Sequence, residues 1–343
     1  MTNYFIRRIL LSFLTVLVAS FAVFMLMRAI PGTVVDAMIA QYMGLSEENI
    51  DIESARLEIE TSMGLHRPLL QQYLIWIRDI IFEGDLGKSL WRATLVSDEI
   101  AMRWPVTLQL GFMSVIISII IALPIGIYSA VRQDTFIDNI CRSFAILCVV
   151  VPSFWLGTIV IVFPSIWWGY SPPLIYTTFT EDPLNNLKMF LLPSLVLGMS
   201  LAGGTMRLTR TMMLEVLKQE YVRTAYSKGL REKTVIMRHA FKNSLIPVVT
   251  SIGPELFLMI GGSVIIEQIF SLPGIGRLTI QAIQTRDYPV ISGVLLIFSI
   301  ALIFINLLID LSYAYLDPRI RYKYRVLKLV IICTKYFLRK SLI

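Results

Sequence analysis

Six stretches of roughly twenty residues run through this chain almost without a charged side chain, and no other feature constrains its fold as much. They cover residues 9–27, 106–131, 143–169, 189–206, 244–266 and 290–309. A helix needs about 20 mostly apolar residues to cross the hydrocarbon core of a bilayer. Only a helix or a closed barrel satisfies its own backbone there. The pattern therefore predicts an all-α polytopic membrane protein with six transmembrane helices. The fourth stretch is short and Gly-rich, and the fifth contains Glu255. With 56% hydrophobic and 16% charged residues, the chain is excluded from the soluble enzymes and from disordered regulators, which need low hydrophobicity. A further stretch, residues 326–338, is interrupted by Lys328 and Lys335 and reads as an interfacial amphipathic helix.

Charge sets the expected orientation. With six spans and the N-terminus inside, the short cytoplasmic segments hold two, two, nine and eight Lys or Arg, twenty-one in all. The short outer loops hold only Lys188, Arg277 and Arg286. The positive-inside rule then places both termini in the cytoplasm. The net charge of +7 is read as topology rather than as nucleic-acid binding. Arg7 and Arg8 precede a 19-residue apolar run without a small-x-small cleavage site, so the first stretch is expected to be a retained helix rather than a signal peptide.

Two hydrophilic regions carry further structure. Residues 31–103 form a long outer segment with twelve acidic and six basic residues. Within it, residues 53–63 and 68–82 read as short helices and Gly84-Asp85-Leu86-Gly87 as a turn. Residues 206–247 are basic and amphipathic. A helix over 215–228, a break at Gly229 and a second helix from Glu232 would present a small rigid knob on the inner surface, suited to transmitting motion from a soluble partner.

Chemistry-bearing constellations are scarce. Gly84 to Ser89 ends like a phosphate loop, but the pattern requires Gly where the chain has Phe82. His66 and His239 fall on opposite sides of the membrane, so no metal site is expected. Cys141, Cys148 and Cys333 are read as reduced thiols. Glu255 and Glu267 are acids in or near spans, where charge is costly and often functional. Glu255 either lines a pathway or makes a helix contact, and Glu267 is expected to take a structural pairing near the outer interface. The small residues Gly198, Ser200, Ala202, Gly203, Gly204, Gly261, Gly262 and Ser263 serve close packing, helix sliding during gating, or both.

The stretch Glu220-Tyr221-Val222-Arg223-Thr224-Ala225-Tyr226-Ser227-Lys228-Gly229-Leu230, continued by His239-Ala240-Phe241-Lys242-Asn243-Ser244-Leu245-Ile246-Pro247, resembles the coupling motif of ABC importer permeases. The variant is similar to that of the dipeptide, oligopeptide and nickel permeases. Tyr4-Phe5-Ile6-Arg7-Arg8, Met63-Gly64-Leu65, Gly84-Asp85-Leu86-Gly87-Lys88-Ser89, Pro273-Gly274-Ile275-Gly276-Arg277 and Arg286-Asp287-Tyr288-Pro289 agree with that family in order. Arg223, Thr224 and Ala225 stand where the general signature has Glu-Ala-Ala, and Tyr226 where this branch usually has Arg.

The resemblance implies a type I ABC importer permease fold over residues 1–321, with residues 31–103 as an external helical insertion, residues 207–243 as a cytoplasmic coupling segment and residues 322–343 as a basic amphipathic tail. It implies an inner-membrane transport subunit without enzymatic activity or cofactor, forming half of a pathway for peptides or related solutes. Its partners would be a second homologous permease in a heterodimer, two ATP-binding ATPase subunits, an external solute-binding protein and membrane lipid. Arg223, Thr224, Ala225, Lys228, Gly229 and Leu230 would couple to the ATPase. Glu255, Gly261, Gly262 and Glu267 are pathway or gating candidates. Arg277, Arg286, Asp287 and Tyr288 are docking candidates for the binding protein. The competing reading is a secondary transporter or channel acting without ATP. That class often shows inverted repeats and mid-membrane ionisable groups, whereas this chain has no convincing repeat and one deep acid.

Overall fold

The computed structural model describes residues 2–29, 35, 39, 52–62, 66–171, 173 and 175–316. Among these there is no β-strand, only an isolated bridge between Lys88 and Leu95. The helices are α1 (Thr2–Ala29), α2 (Ile52–Ser62), α3 (Leu69–Arg78), α4 (Val96–Val131), α5 (Phe136–Val150), α6 (Ser153–Trp168), α7 (Pro183–Leu217), α8 (Glu220–Ser227), α9 (Lys242–Ile269), α10 (Ile275–Thr285) and α11 (Tyr288–Leu316). A π-helical turn, Asp79–Glu83, follows α3, and a helical turn at Glu232–Thr234 passes through a π-helical stretch, Val235–Phe241, into α9. The expected tail helix at 326–338, and the tail 322–343 as a whole, lie outside the described residues.

Among the described residues, four helices are long and apolar enough to cross a membrane, and five if α5 and α6 together make one span. The expected span 244–266 coincides with α9, which is 28 residues long. The expected span 143–169 is not one helix. It is α5 and α6, bent by 96°. The break falls at Val151, which is extended (φ −73°, ψ 119°) and precedes Pro152. A proline ring clashes with a helical conformation at the residue before it. The α4 and α7 helices instead outrun their apolar stretches. The first turn of α4 holds Asp98 and Glu99, acids that a helix N-terminus favours. The N-cap of α7 is Asp182, whose side chain accepts the Asn185 N–H at 3.1 Å, with Pro183 opening the helix.

The most extensive helix pair is α4 with α7, and α9 packs against both. Val106 and Leu110 of α4, Phe190 and Val196 of α7 and Ile266 of α9 form the central core. A second core joins Val96 and Ile100 of α4 to Ile275 and Leu278 of α10 and Val294 of α11. Ala122, Ala145 and Ala202 let α4, α5 and α7 approach closely. The α1 helix pairs with α11 and leaves much of its apolar surface exposed. That distribution suits a lipid-facing helix, since tails are as apolar as Leu. Tyr73 of α3 seats on α1 through a 2.8 Å hydrogen bond with Ser20 and an edge-on contact with Phe21.

The bundle therefore has two distinct ends. One carries the basic segment around α8. The other carries the loops at 84–95 and 270–289.

Candidate functional site

At the basic end, the continuous helix expected over 215–228 is broken. The α7 helix stops at Leu217, Gln219 is extended, and α8 turns away. On its inner face α8 packs Val222 and Ala225 against Val235, with Val216 and Leu217 alongside. Val222 and Val235 are fully buried. Arg223, Thr224, Tyr226, Ser227 and Lys228 face outward. Asn243 donates to the Tyr221 hydroxyl at 2.8 Å, which ties α8 to the start of α9. The chain leaves the helix through Gly229 at φ +74°, a left-handed conformation that a Cβ disfavours. A Cβ there would meet nothing within 4 Å, so the position demands a backbone conformation rather than space. Of the six coupling candidates, Arg223, Thr224, Lys228, Gly229 and Leu230 are exposed. Ala225 is buried and holds the knob to its root.

Midway along the bundle, Glu255 of α9 is half-buried and accepts a 2.7 Å hydrogen bond from the Thr205 hydroxyl of α7. A Cβ on Gly204 would lie 3.7 Å from the same carboxylate. Gly261 is exposed with open space beside it, and Gly262 faces Leu197. The Gly198 and Gly203 positions admit no Cβ, because the carbonyl oxygens of Ser114 and Ala145 lie under 3 Å from where it would sit. These two glycines serve close packing.

At the opposite end, three buried carboxylates staple the loops together. Glu267 is fully buried. Its Oε1 accepts from the Thr107 hydroxyl at 2.7 Å and its Oε2 from the Arg277 N–H at 3.1 Å. Thr107 in turn accepts from the Ile275 N–H at 2.9 Å. The carboxylate and hydroxyl thus satisfy the free N–H groups at the start of α10, where negative charge is favourable. A Cβ on Gly274 would collide with this carboxylate. Asp287, 4% exposed, accepts from the Ser89 hydroxyl at 2.5 Å and the Leu90 N–H at 3.2 Å. Glu99 accepts from Arg92 at 2.9 Å, from Thr94 at 3.1 Å and from Arg103.

These contacts revise three expectations. Glu267, a pathway or gating candidate, is instead a fully buried anchor for α10. Asp287 and Tyr288 are buried, so neither presents its side chain as a docking surface. Arg277 is half-buried and donates to the Ser271 carbonyl at 2.7 Å. Arg286 alone of the four docking candidates is exposed. The phosphate-loop look-alike is spent on the same staple: the Gly87 carbonyl accepts the Val96 N–H, and Ser89 pairs with Asp287.

The model of the binding-protein-dependent transport system inner membrane component matches residues 122–322, and that of its N-terminal region matches residues 1–111. The chain belongs to this family. It is an ABC importer permease of the peptide branch. A Brucella abortus (strain 2308) protein that carries the name of a peptide transport system permease is 38% identical over 322 residues, 94% of this chain and all of that one. The glutathione transport system permease protein GsiC of Pectobacterium atrosepticum is 36% identical over 323 residues, again 94% of this chain and all of the relative. A solved chain of the MetNI methionine ABC transporter, in an inward-facing conformation, superposes with a TM-score of 0.53 at 15% identity. It covers 64% of this chain and 96% of that one, and shows the fold.

Sequence reasoning missed a polar junction of the permease near the knob. Asp138, in the first turn of α5, is fully buried and accepts from the Arg210 guanidinium of α7 at 2.9 and 2.7 Å. It also accepts from the Ser129 hydroxyl of α4 at 2.5 Å and from the Asp134 N–H at 3.0 Å. In the sequence Arg210 is one of nine basic residues between 207 and 242, and Asp138 is one acid in a short loop. Their partnership spans 72 positions and leaves no local mark in the sequence.

Proposed function

We propose that this permease forms half of the translocation pathway of an ATP-driven importer for peptides or related solutes. The observation that carries the reading is the knob. An exposed polar helix with the family's coupling motif stands on a buried apolar root, and its outer face is free to meet a separate ATPase. Arg223, Thr224, Lys228, Gly229 and Leu230 meet that ATPase, and Ala225 holds them in place. Six spans, with α5 and α6 as one broken span and α9 as another, put both termini and residues 207–243 in the cytoplasm, as the charge distribution requires. Residues 1–321 make the transmembrane domain, 31–103 its external insertion and 322–343 a cytoplasmic tail.

One knob docks one ATPase subunit. Two ATP sites at a dimer interface need two, so a second homologous permease supplies the other knob and the other wall of the pathway. Glu255, Gly261 and Gly262 face that shared pathway. An external binding protein delivers cargo at the stapled end, with Arg286 on the docking surface. The names of the relatives support peptides, glutathione included, as the cargo class.

The test is reconstitution in liposomes with and without the ATPase subunits and ATP. Transport that requires both supports the proposal. Transport by this polypeptide without any ATPase overturns it in favour of a secondary transporter. Labelling of a single Cys at position 227 by a membrane-impermeant reagent in intact cells would overturn the orientation.

A further inference from the structure

We infer that the ion pair of the buried Asp138 with the half-buried Arg210 is the positioning element that makes the α4–α5 corner follow the knob, so that movement at the ATPase reaches the pathway helices. The inference rests on the ATP-coupled reading above. It also rests on three features of the geometry. First, Arg210 lies on the same helix as the root of the knob, about 10 Å before Leu217 at 1.5 Å per residue. Second, the last turns of α7 are embedded rather than free. Met213 is fully buried in a cluster with Ala130 of α4 and Ala240, and the Ser244 hydroxyl of α9 lies 3.0 Å from the Met213 sulfur. Third, α7 has no slack against its neighbours just above the pair. A Cβ on Gly126 of α4 would sit 2.9 Å from the Met206 carbonyl, and one on Gly203 would sit 2.7 Å from the Ala145 carbonyl of α5.

The carboxylate of Asp138 gathers four hydrogen bonds from three places: the end of α4, the α4–α5 turn and α7. A guanidinium fork on a carboxylate fixes direction as well as distance. An apolar contact between helices can slide, whereas this pair cannot shift without leaving the buried Asp138 carboxylate unpaired. The α7 end and the α4–α5 corner therefore move as one body when the knob moves. This is a positioning role, since the hydrogen bonds of the pair join α7 to α4 and the α4–α5 turn.

The experiment uses the complete transporter with its binding protein in liposomes, and reads cargo transported per ATP hydrolysed. Three permeases are compared: Arg210→Lys, which keeps the charge and loses the fork; Asp138→Asn; and the double variant Asp138→Asn with Arg210→Gln, which leaves no unpaired charge. The double variant and Arg210→Lys are expected to assemble at wild-type level and to hydrolyse ATP. Their transport per ATP should fall on the order of tenfold, the scale of an ordinary coupling between sites. A double variant with a wild-type ratio would show that the pair only neutralises buried charge, and overturns the inference. So does a double variant that fails to assemble, which would make the pair a folding element. The wild-type arm separates this inference from the reading beneath it, because wild-type transport without ATP defeats the proposed function whatever the variants do.

Discussion

The stapled loops and the knob helix α8 are built on opposite principles. At the stapled end, Glu99, Glu267 and Asp287 are buried carboxylates, and each accepts two or more hydrogen bonds; Glu267 and Asp287 reach across 160 and 198 positions, while Glu99 ties the turn at 92–94 to the start of α4. At the knob end, α8 rests on small apolar contacts, and its ion pair, Arg223 with Glu220, is exposed. A buried carboxylate that satisfies backbone donors cannot be given up cheaply, whereas an exposed pair contributes little. The stapled loops are thus a frame cross-braced by buried hydrogen bonds, while the polar face of α8 stays open to solvent.

The largest expected effect tests that frame. Glu267→Ala orphans the Thr107 hydroxyl and the Arg277 N–H and opens a cavity. It should destabilise the permease by about 4 kcal/mol, the scale of two buried unsatisfied donors plus lost packing. Thermal unfolding of the purified transporter measures this. A loss under about 1 kcal/mol would break the contrast between the ends. Asp287→Ala comes next, at about 2–3 kcal/mol, because Ser89 and the Leu90 N–H lose their acceptor. Asp287→Asn keeps one acceptor oxygen and should recover about half of that loss in the same assay.

Much of this architecture could be read from the chain alone, and what could not has a common cause. Apolar length announced α1, α4, α7, α9 and α11, and motif order announced the family. The bend at Val151 escaped because hydropathy is blind to backbone direction, although Pro152 was the available signal. The coupling motif located the knob but not the inward turn of Ala225. Asp287 and Tyr288 lie in an outer loop that the topology offers as a docking surface, yet that loop folds back on residues 89 and 90. Asp138 with Arg210 and Glu267 with Thr107 are pairings across 72 and 160 positions. Such pairs become visible only when packed helices bring them together.

At the knob the order of effects should reverse, with little change in stability and a large one in coupling. Gly229→Val places a branched side chain at φ +74°, a strain of about 1–2 kcal/mol within the knob. Membrane insertion and subunit levels should stay normal while ATPase docking or transport falls. Gly229→Asn should be milder, since Asn tolerates the left-handed region. Normal transport by the Val variant would mean that the knob's exit geometry is irrelevant to docking.

The smallest effect belongs to Arg286, where the stapled frame meets solvent. Its own backbone is left-handed at φ +55°, its N–H donates to the Ile283 carbonyl at 3.2 Å, and the buried Asp287 follows it. The side chain is exposed, so Arg286→Glu should change stability by no more than about 0.5 kcal/mol. If Arg286 meets an acidic patch on the binding protein, the reversal should weaken apparent affinity for that protein, and more at low salt than at high salt. Screening acts over about 10 Å at 0.1 M salt and removes an exposed pair's contribution as salt rises. The control is Arg286→Gly, which removes the charge and eases the left-handed backbone. It should lie between wild type and Arg286→Glu at low salt, and all three should converge at high salt. Equal affinity for all three at both salt levels would take Arg286 off the docking surface. The stapled end would then be a frame alone, with docking left to other exposed loops.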